Sequence, residues 1–139
     1  MINQTGKFVH ELSIPVRWYD MDAFGHVNNS IYFTYFEQTR ISWWMEVAPP
    51  SYSLDKMGPV VVTANCSYIK PIVYPEIILS KLYVGPPSRS SYDCFCKMYS
   101  EKNPDILYAE AYAKIVWVDR EAGRSTPIPD ELRHLLPEK

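Results

Sequence analysis

The chain has no apolar run near the roughly 20 residues that would cross a bilayer, and its opening stretch, MINQTGKFVHELS, lacks the apolar core of a secretion signal. Clustered positive charge is missing too. Fourteen Lys and Arg stand against sixteen Asp and Glu, for a net charge of −2, and no basic run occurs anywhere. That excludes the electrostatic footprint of a nucleic-acid binder. There are only three cysteines, Cys66, Cys94 and Cys96, an odd number that does not suit a disulfide framework. Cys94 and Cys96 are two apart in a strand-like run, so their side chains share a face about 6.6 Å apart, too far for a relaxed bridge. The three histidines, His10, His26 and His134, are scattered and match no zinc-ligand spacing, so no metal is indicated. These absences together lead us to expect a soluble, cytoplasmic protein with neither a membrane span nor a nucleic-acid partner.

What is present describes an ordinary globular protein. Of 139 residues, 47% are hydrophobic and 14% aromatic, with eleven tyrosines and four tryptophans, enough for a sizeable core without staples. No internal repeat or second composition appears, and residues 1–139 read as a single domain. From Phe8 to Tyr19 apolar residues alternate, with Phe8, Leu12, Ile14, Val16 and Trp18 on one parity. Pro15 cannot donate to a ladder, which makes this strand an edge or starts it late. From Ser30 to about Val47 there is no Gly or Pro, and Tyr32, Tyr35, Phe36, Thr39, Trp43 and Val47 form a broad helical stripe. Ile31, Phe33, Ile41 and Trp44 make that helix apolar around most of its girth, so the spacing predicts a rod enclosed by the rest of the fold, closed by Pro49 and Pro50. Beyond residue 58 four strand-like runs follow, PVVVTANCSYIK, EIILSKLYVG, SSYDCFCKMYS and ILYAEAYAKIVWVDR, parted by turn-forming residues. A short helical turn is expected at Asp130 to Leu136. The class is α+β, an antiparallel sheet wrapped around one helix.

The polar joint between the first strand and the helix, DMDAFGHVNN, is where chemistry can sit. A helix start offers unpaired N–H groups and the positive end of the macrodipole, suited to a carbonyl oxygen. A carboxylate just upstream can act as base or nucleophile beside it. Together they suit attack on an activated carbonyl, with the amides holding the developing charge. Each part also has a purely structural use. Asn28 and Asn29 can cap the helix, Gly25 can supply a positive φ, Asp20 or Asp22 can accept turn N–H groups, and His26, next to an apolar helix, can be a satisfied structural histidine.

RWYDMDAFGHVNNSIYFTYFEQTR resembles the opening motif of the hotdog-fold acyl-CoA thioesterases related to 4-hydroxybenzoyl-CoA thioesterase: D-x-D, then G, then H-V-N-N, then Tyr. The resemblance continues in SYIKP at 67 to 71, SRSS at 88 to 91 and VWVDREAGRSTPIPDELR at 116 to 133. It implies a five-stranded antiparallel sheet around one long central helix, and hydrolysis of an acyl-CoA thioester to a free acid and CoA without a cofactor. The catalytic acid of the family maps to Asp22, as nucleophile or general base, and Asp20 maps to the residue that shapes the turn. The main-chain N–H that polarises the thioester maps to Asn29, with Asn28 second. His26 is a secondary candidate, because Phe24 stands where relatives with a working histidine carry an Asn. Tyr32, Tyr35, Phe36 and Trp43 are available to line the acyl slot, and Arg89, Ser90, Ser91 and Lys70 to meet the CoA moiety. Glu37 matches the helix acid of a second hotdog lineage, although Arg40 three residues on suits a plain ion pair. The family's active sites lie between subunits, implying a homodimer or homotetramer. An acyl-carrier-protein donor, and a non-catalytic acyl-CoA-binding module, are the alternatives.

Overall fold

The computed structural model describes residues 6–48 and 55–138. The elements follow in the order β1 (Lys7–Pro15), a single 3-10 turn (Trp18–Asp20), α1 (Asn29–Val47), β2 (Met57–Tyr68), β3 (Ile77–Val84), β4 (Ser91–Ser100), β5 (Leu107–Asp119), β6 (Arg124–Ser125) and α2 (Asp130–Arg133). One antiparallel sheet runs β1-β3-β4-β5-β2, and β6 adds two residues beside β5. The five expected strands and the single long helix are all present.

Strand parity explains how the sheet holds the helix. On β5 the residues Ala109, Ala111, Ala113, Ile115 and Trp117 are all buried, and Ile78, Leu82 and Val84 of β3 with Cys94, Cys96 and Met98 of β4 continue that face. The three alanines take little room, so a helix carrying Tyr32, Tyr35, Phe36, Thr39 and Trp43 can lie close to the sheet. One polar stitch crosses this layer. Thr39 Oγ1 donates to the Tyr35 carbonyl at 2.7 Å and lies 2.7 Å from Ser80 Oγ, which in turn is 3.0 Å from Cys96 Sγ. All three cysteines are free. Burial pushes the Cys96 thiol up to about 12, so it behaves as a small hydrophobe with a weak S–H.

Three local expectations are corrected. A bulge between Phe8 and His10 breaks the alternation of β1, turning Phe8 outward against Tyr83 at 5.6 Å between ring centroids, while Leu12 and Ile14 stay turned inward. The strand ends at Pro15, so Trp18 lies in the 3-10 turn and is exposed. The helix is enclosed on one side only: Thr34, Glu37, Gln38, Ile41 and Met45 are exposed, because the sheet curls over just one face. Pro49 and Pro50 lie outside the described residues.

The edge position of β1 fits its proline, and side chains fasten it. His10 Nε2 lies 2.9 Å from Ser42 Oγ and His10 Nδ1 3.2 Å from Glu46 Oε2. This Ser-His-Glu string resembles a nucleophilic triad in distances alone. Ser42 sits mid-helix, where neighbouring N–H groups are committed to i−4 carbonyls and none is left to hold an oxyanion. It is a tie between strand and helix.

Candidate functional site

The loop from Arg17 to Asn28 is organised by two acids with different surroundings. Asp20 is 1% exposed. Its carboxylate accepts from the Arg17 main-chain N–H at 3.0 Å, from the Arg17 guanidinium at 3.0 and 2.9 Å, and from the Tyr35 hydroxyl at 2.8 Å. Burial alone would raise its pKa; the Arg17 N–H, the Tyr35 hydroxyl and the Arg17 charge outweigh burial and hold it below the ordinary value. Its carbonyl also accepts from the Asn28 N–H at 3.0 Å, which sets the residue before the helix in extended geometry. Asp20 is thus the anchor of the turn.

Asp22 is only half-buried. Its N–H donates to the His26 carbonyl and its carbonyl accepts from Gly25 N–H, at 2.9 and 3.0 Å, closing a tight loop whose crest is Gly25 at φ +84°. Oδ1 accepts from the Phe24 N–H at 2.9 Å, and Oδ2 from the Asn28 side-chain amide at 3.3 Å. Asn28 is the N-cap of α1, and its Oδ1 accepts from the Ser30 N–H at 2.9 Å. One cap residue therefore links the acid to the helix start. The Ile31 N–H is taken by the Asn28 carbonyl, whereas the Asn29 N–H has no acceptor among the described residues.

Beside this helix start lies an open cavity of about 190 Å³, lined by His26, Val27, Asn29, Tyr32, Tyr68, Ile69, Lys70 and Pro71. Tyr32 is buried, its hydroxyl accepts from the Ile72 N–H at 3.3 Å, and its ring meets Tyr68 edge-on at 4.8 Å. Tyr68 donates its hydroxyl to the Asn29 carbonyl at 3.1 Å. Burial raises both phenols, so both stay protonated donors at neutral pH. The neighbouring Cys66 thiol is pushed up to about 11 by burial and is no thiolate nucleophile. Among the described residues no group of three or more His, Cys, Asp or Glu is placed to hold a metal.

The fold thus sets His26, Asn29, Tyr32 and Lys70 around one cavity, with Asp22 tied to the adjoining cap residue Asn28. Tyr68 is the member that sequence reasoning missed; its signal was its inward parity at the end of a strand within SYIKP. Arg89, Ser90 and Ser91 stand elsewhere. Ser91 pairs with Val116 and Tyr68 with Ala109, seven positions apart on β5 and so about 23 Å along the sheet. There Arg89 lines a separate cleft of about 610 Å³ with Ser88, Arg133 and His134. Ser91 Oγ lies 2.7 Å from Ser88 Oγ, and the Ser90 carbonyl accepts from the Trp117 N–H. Of the proposed slot aromatics, Tyr35 is drawn to Asp20 and Phe36 is fully buried, while Trp43 borders a different cavity. Glu37 and Arg40 form no ion pair; the Arg40 guanidinium lies over the Phe36 ring at 4.4 Å instead.

A model of the thioesterase-like superfamily matches residues 16–136. The fold and sequence are similar to those of a Pseudomonas aeruginosa protein described as a "putative Thioesterase", at 37% identity and a TM-score of 0.86 over 93% of this chain and 98% of that one. A "putative acyl-CoA thioesterase" of Xanthomonas campestris is 35% identical, with a TM-score of 0.76 over 86% of this chain and all of its own (100%). A protein of Aquifex aeolicus named "Putative esterase" is 32% identical over 123 residues, 87% of this chain and 92% of that protein.

Proposed function

The chain belongs to the thioesterase-like superfamily, and from that premise we propose that it hydrolyses acyl-CoA thioesters, with Asp22 as the reacting acid. The observation that supports this reading is the link through Asn28: one residue caps the helix and bonds the Asp22 carboxylate, at a helix start whose Asn29 N–H has no acceptor among the described residues. A thioester carbonyl oxygen resting on that N–H is polarised by the amide and by the helix dipole. In the general-base form, Asp22 takes a proton from water as the water oxygen bonds to the carbonyl carbon. Collapse of the tetrahedral adduct breaks the C–S bond, and CoA leaves as the thiol with that proton. In the nucleophilic form, the Asp22 carboxylate bonds to the carbonyl carbon, the C–S bond breaks and CoA leaves as the thiolate; water then cleaves the mixed anhydride, returning the Asp22 carboxylate and giving the free acid and the proton that the thiolate takes up. His26, at the mouth of the cavity, is a positioning group for the substrate in either case.

The reading needs no cofactor. It takes a homodimer as the working unit, because β2 is an edge strand with Val61 and Val62 exposed and the uncovered face of α1 presents Ile41 and Met45. A second copy there would cover both. Arg89, Ser90 and Ser91 would then meet the CoA moiety from the second copy, and Lys70 from the same chain. We place the enzyme in the cytoplasm, in keeping with its free thiols.

Release of CoA thiol from a panel of acyl-CoA esters tests the proposal. The wild type should turn over at least one acyl class, and Asp22→Asn, which keeps the shape and the Phe24 contact, should lower kcat by about 10²- to 10⁴-fold with folding intact. Turnover within a few-fold of wild type in that variant would remove Asp22 from the chemistry and move attention to Glu37 or His26.

A further inference from the structure

Arg133 ends α2 and reaches back across the chain to the turn before β4. One nitrogen of its guanidinium, Nη2, donates to the Ser88 carbonyl at 2.8 Å and to the Arg89 carbonyl at 2.9 Å. Those carbonyls belong to the two peptide groups on either side of the Arg89 Cα. Each peptide group is planar, so holding both planes fixes φ and ψ of Arg89, and with them the direction of its Cα–Cβ bond. The Ile128 N–H is a second donor to the Arg89 carbonyl at 3.0 Å, and the Trp117 N–H holds the Ser90 carbonyl at 2.8 Å. The backbone of the turn is thus fastened to the α2 segment on one side and to β5 on the other, while the Arg89 side chain borders the cleft.

The tail itself has other anchors. Ile128, Leu132 and Leu136 are buried, and the Lys7 ammonium donates to the Leu135 carbonyl at 3.3 Å. A neutral side chain at position 133 would leave those anchors in place and would lose the clamp on the two peptide groups of Arg89. We infer that Arg133 is a positioning residue for the leaving group: it presents the Arg89 guanidinium to the phosphates of CoA and does not touch them itself. The inference rests on the reading, proposed above, that Arg89 meets the CoA moiety. A long side chain on a backbone already fixed loses less freedom when it closes on a phosphate, so the clamp converts directly into affinity. It acts only on the phosphate-bearing end of the substrate, and so favours CoA esters over esters of a thiol without phosphate.

Calorimetry with CoA itself tests this without turnover. CoA should bind the wild type. Arg89→Met should weaken it by about ten-fold or more, because a charge-assisted contact is lost. Arg133→Met should weaken it by about ten-fold, the scale of freeing the backbone of one residue. Made in an Arg89→Met background, Arg133→Met should weaken CoA no further, because Arg133 acts through Arg89. In turnover, the ratio of kcat/KM for an acyl-CoA to that for the same acyl group on pantetheine should fall in step; a purely structural role lowers both alike and leaves the ratio unmoved. An Arg133→Met protein that binds CoA like wild type, a ratio that does not move, or a full Arg133→Met loss added on top of Arg89→Met overturns the inference and leaves thioester hydrolysis standing. An Arg89→Met protein that binds CoA like wild type removes Arg89 from the CoA site and the inference with it, and a wild type that binds no CoA overturns both the inference and the CoA reading. If Arg133→Met does not fold, Arg133→Gln, too short to bridge the two carbonyls, is carried through the same cycle.

Discussion

Asp20 and Asp22 are two residues apart and have opposite surroundings. Asp20 is enclosed and answered by four donor groups from Arg17 and Tyr35, so its carboxylate is a structural ion; Asp22 is half-buried with two weaker contacts, so its lone pairs remain open to a substrate or water. The folded pKa of Asp20 lies below its unfolded value of 3.8. The sign follows: its contribution to stability is present above that unfolded value and is lost as pH falls through the lower folded one. We expect Asp20→Asn to cost about 3 kcal/mol at pH 7 and to flatten the decline of stability below pH 4; urea unfolding at a series of pH values checks both. A variant as stable as wild type, with an unchanged acid limb, would contradict the anchoring role. The motif alone set Asp20 apart as the acid that shapes the turn. Tyr35 as partner of Asp20 was not legible, since helical spacing says that a side chain turns inward and not which group it meets fifteen positions away.

At the scale of elements, α1 is held in three ways: by the cap at Asn28, by apolar contact with the alanine row of β5, and by the Thr39, Ser80 and Cys96 stitch. The stitch is fully buried, so removing one member leaves a polar group without its partner. Thr39→Val, nearly equal in size, should destabilise the fold by about 1–3 kcal/mol in denaturant titration while leaving thiol release near wild type at temperatures well below unfolding. A neutral outcome would mean that Ser80 and Cys96 satisfy each other. Length, position and the inward face of the helix were written in its apolar spacing. Its exposed face was not, because spacing reports hydrophobicity and cannot say how much of a helix a five-stranded sheet can cover. The bulge that turns Phe8 outward was equally silent, since one inserted residue leaves the letters of the alternation intact.

For the whole molecule, one group of exposed apolar side chains lies along an open strand edge and the helix beside it. Val61 and Val62 of β2 and Ile41 and Met45 of α1 are left to water by one chain. If a second copy covers them, light scattering should give at least twice the chain mass, and Val62→Asp should yield a folded monomer with thiol release sharply reduced; a wild type that is fully active at the mass of one chain would refute this. The sequence by itself determined the element order, the helix that the sheet wraps and the motif that puts an acid before a helix start, because periodicity, turn residues and caps are local signals. Only the tertiary structure decided that Tyr68 and Lys70 join His26 and Asn29 around one cavity while Arg89 stands at the other end of the sheet, and that Arg40 lies over the Phe36 ring instead of pairing with Glu37. The cavity joins residues far apart in the chain, fixed by strand register and by the curl of the sheet, and no local pattern of residues encodes it.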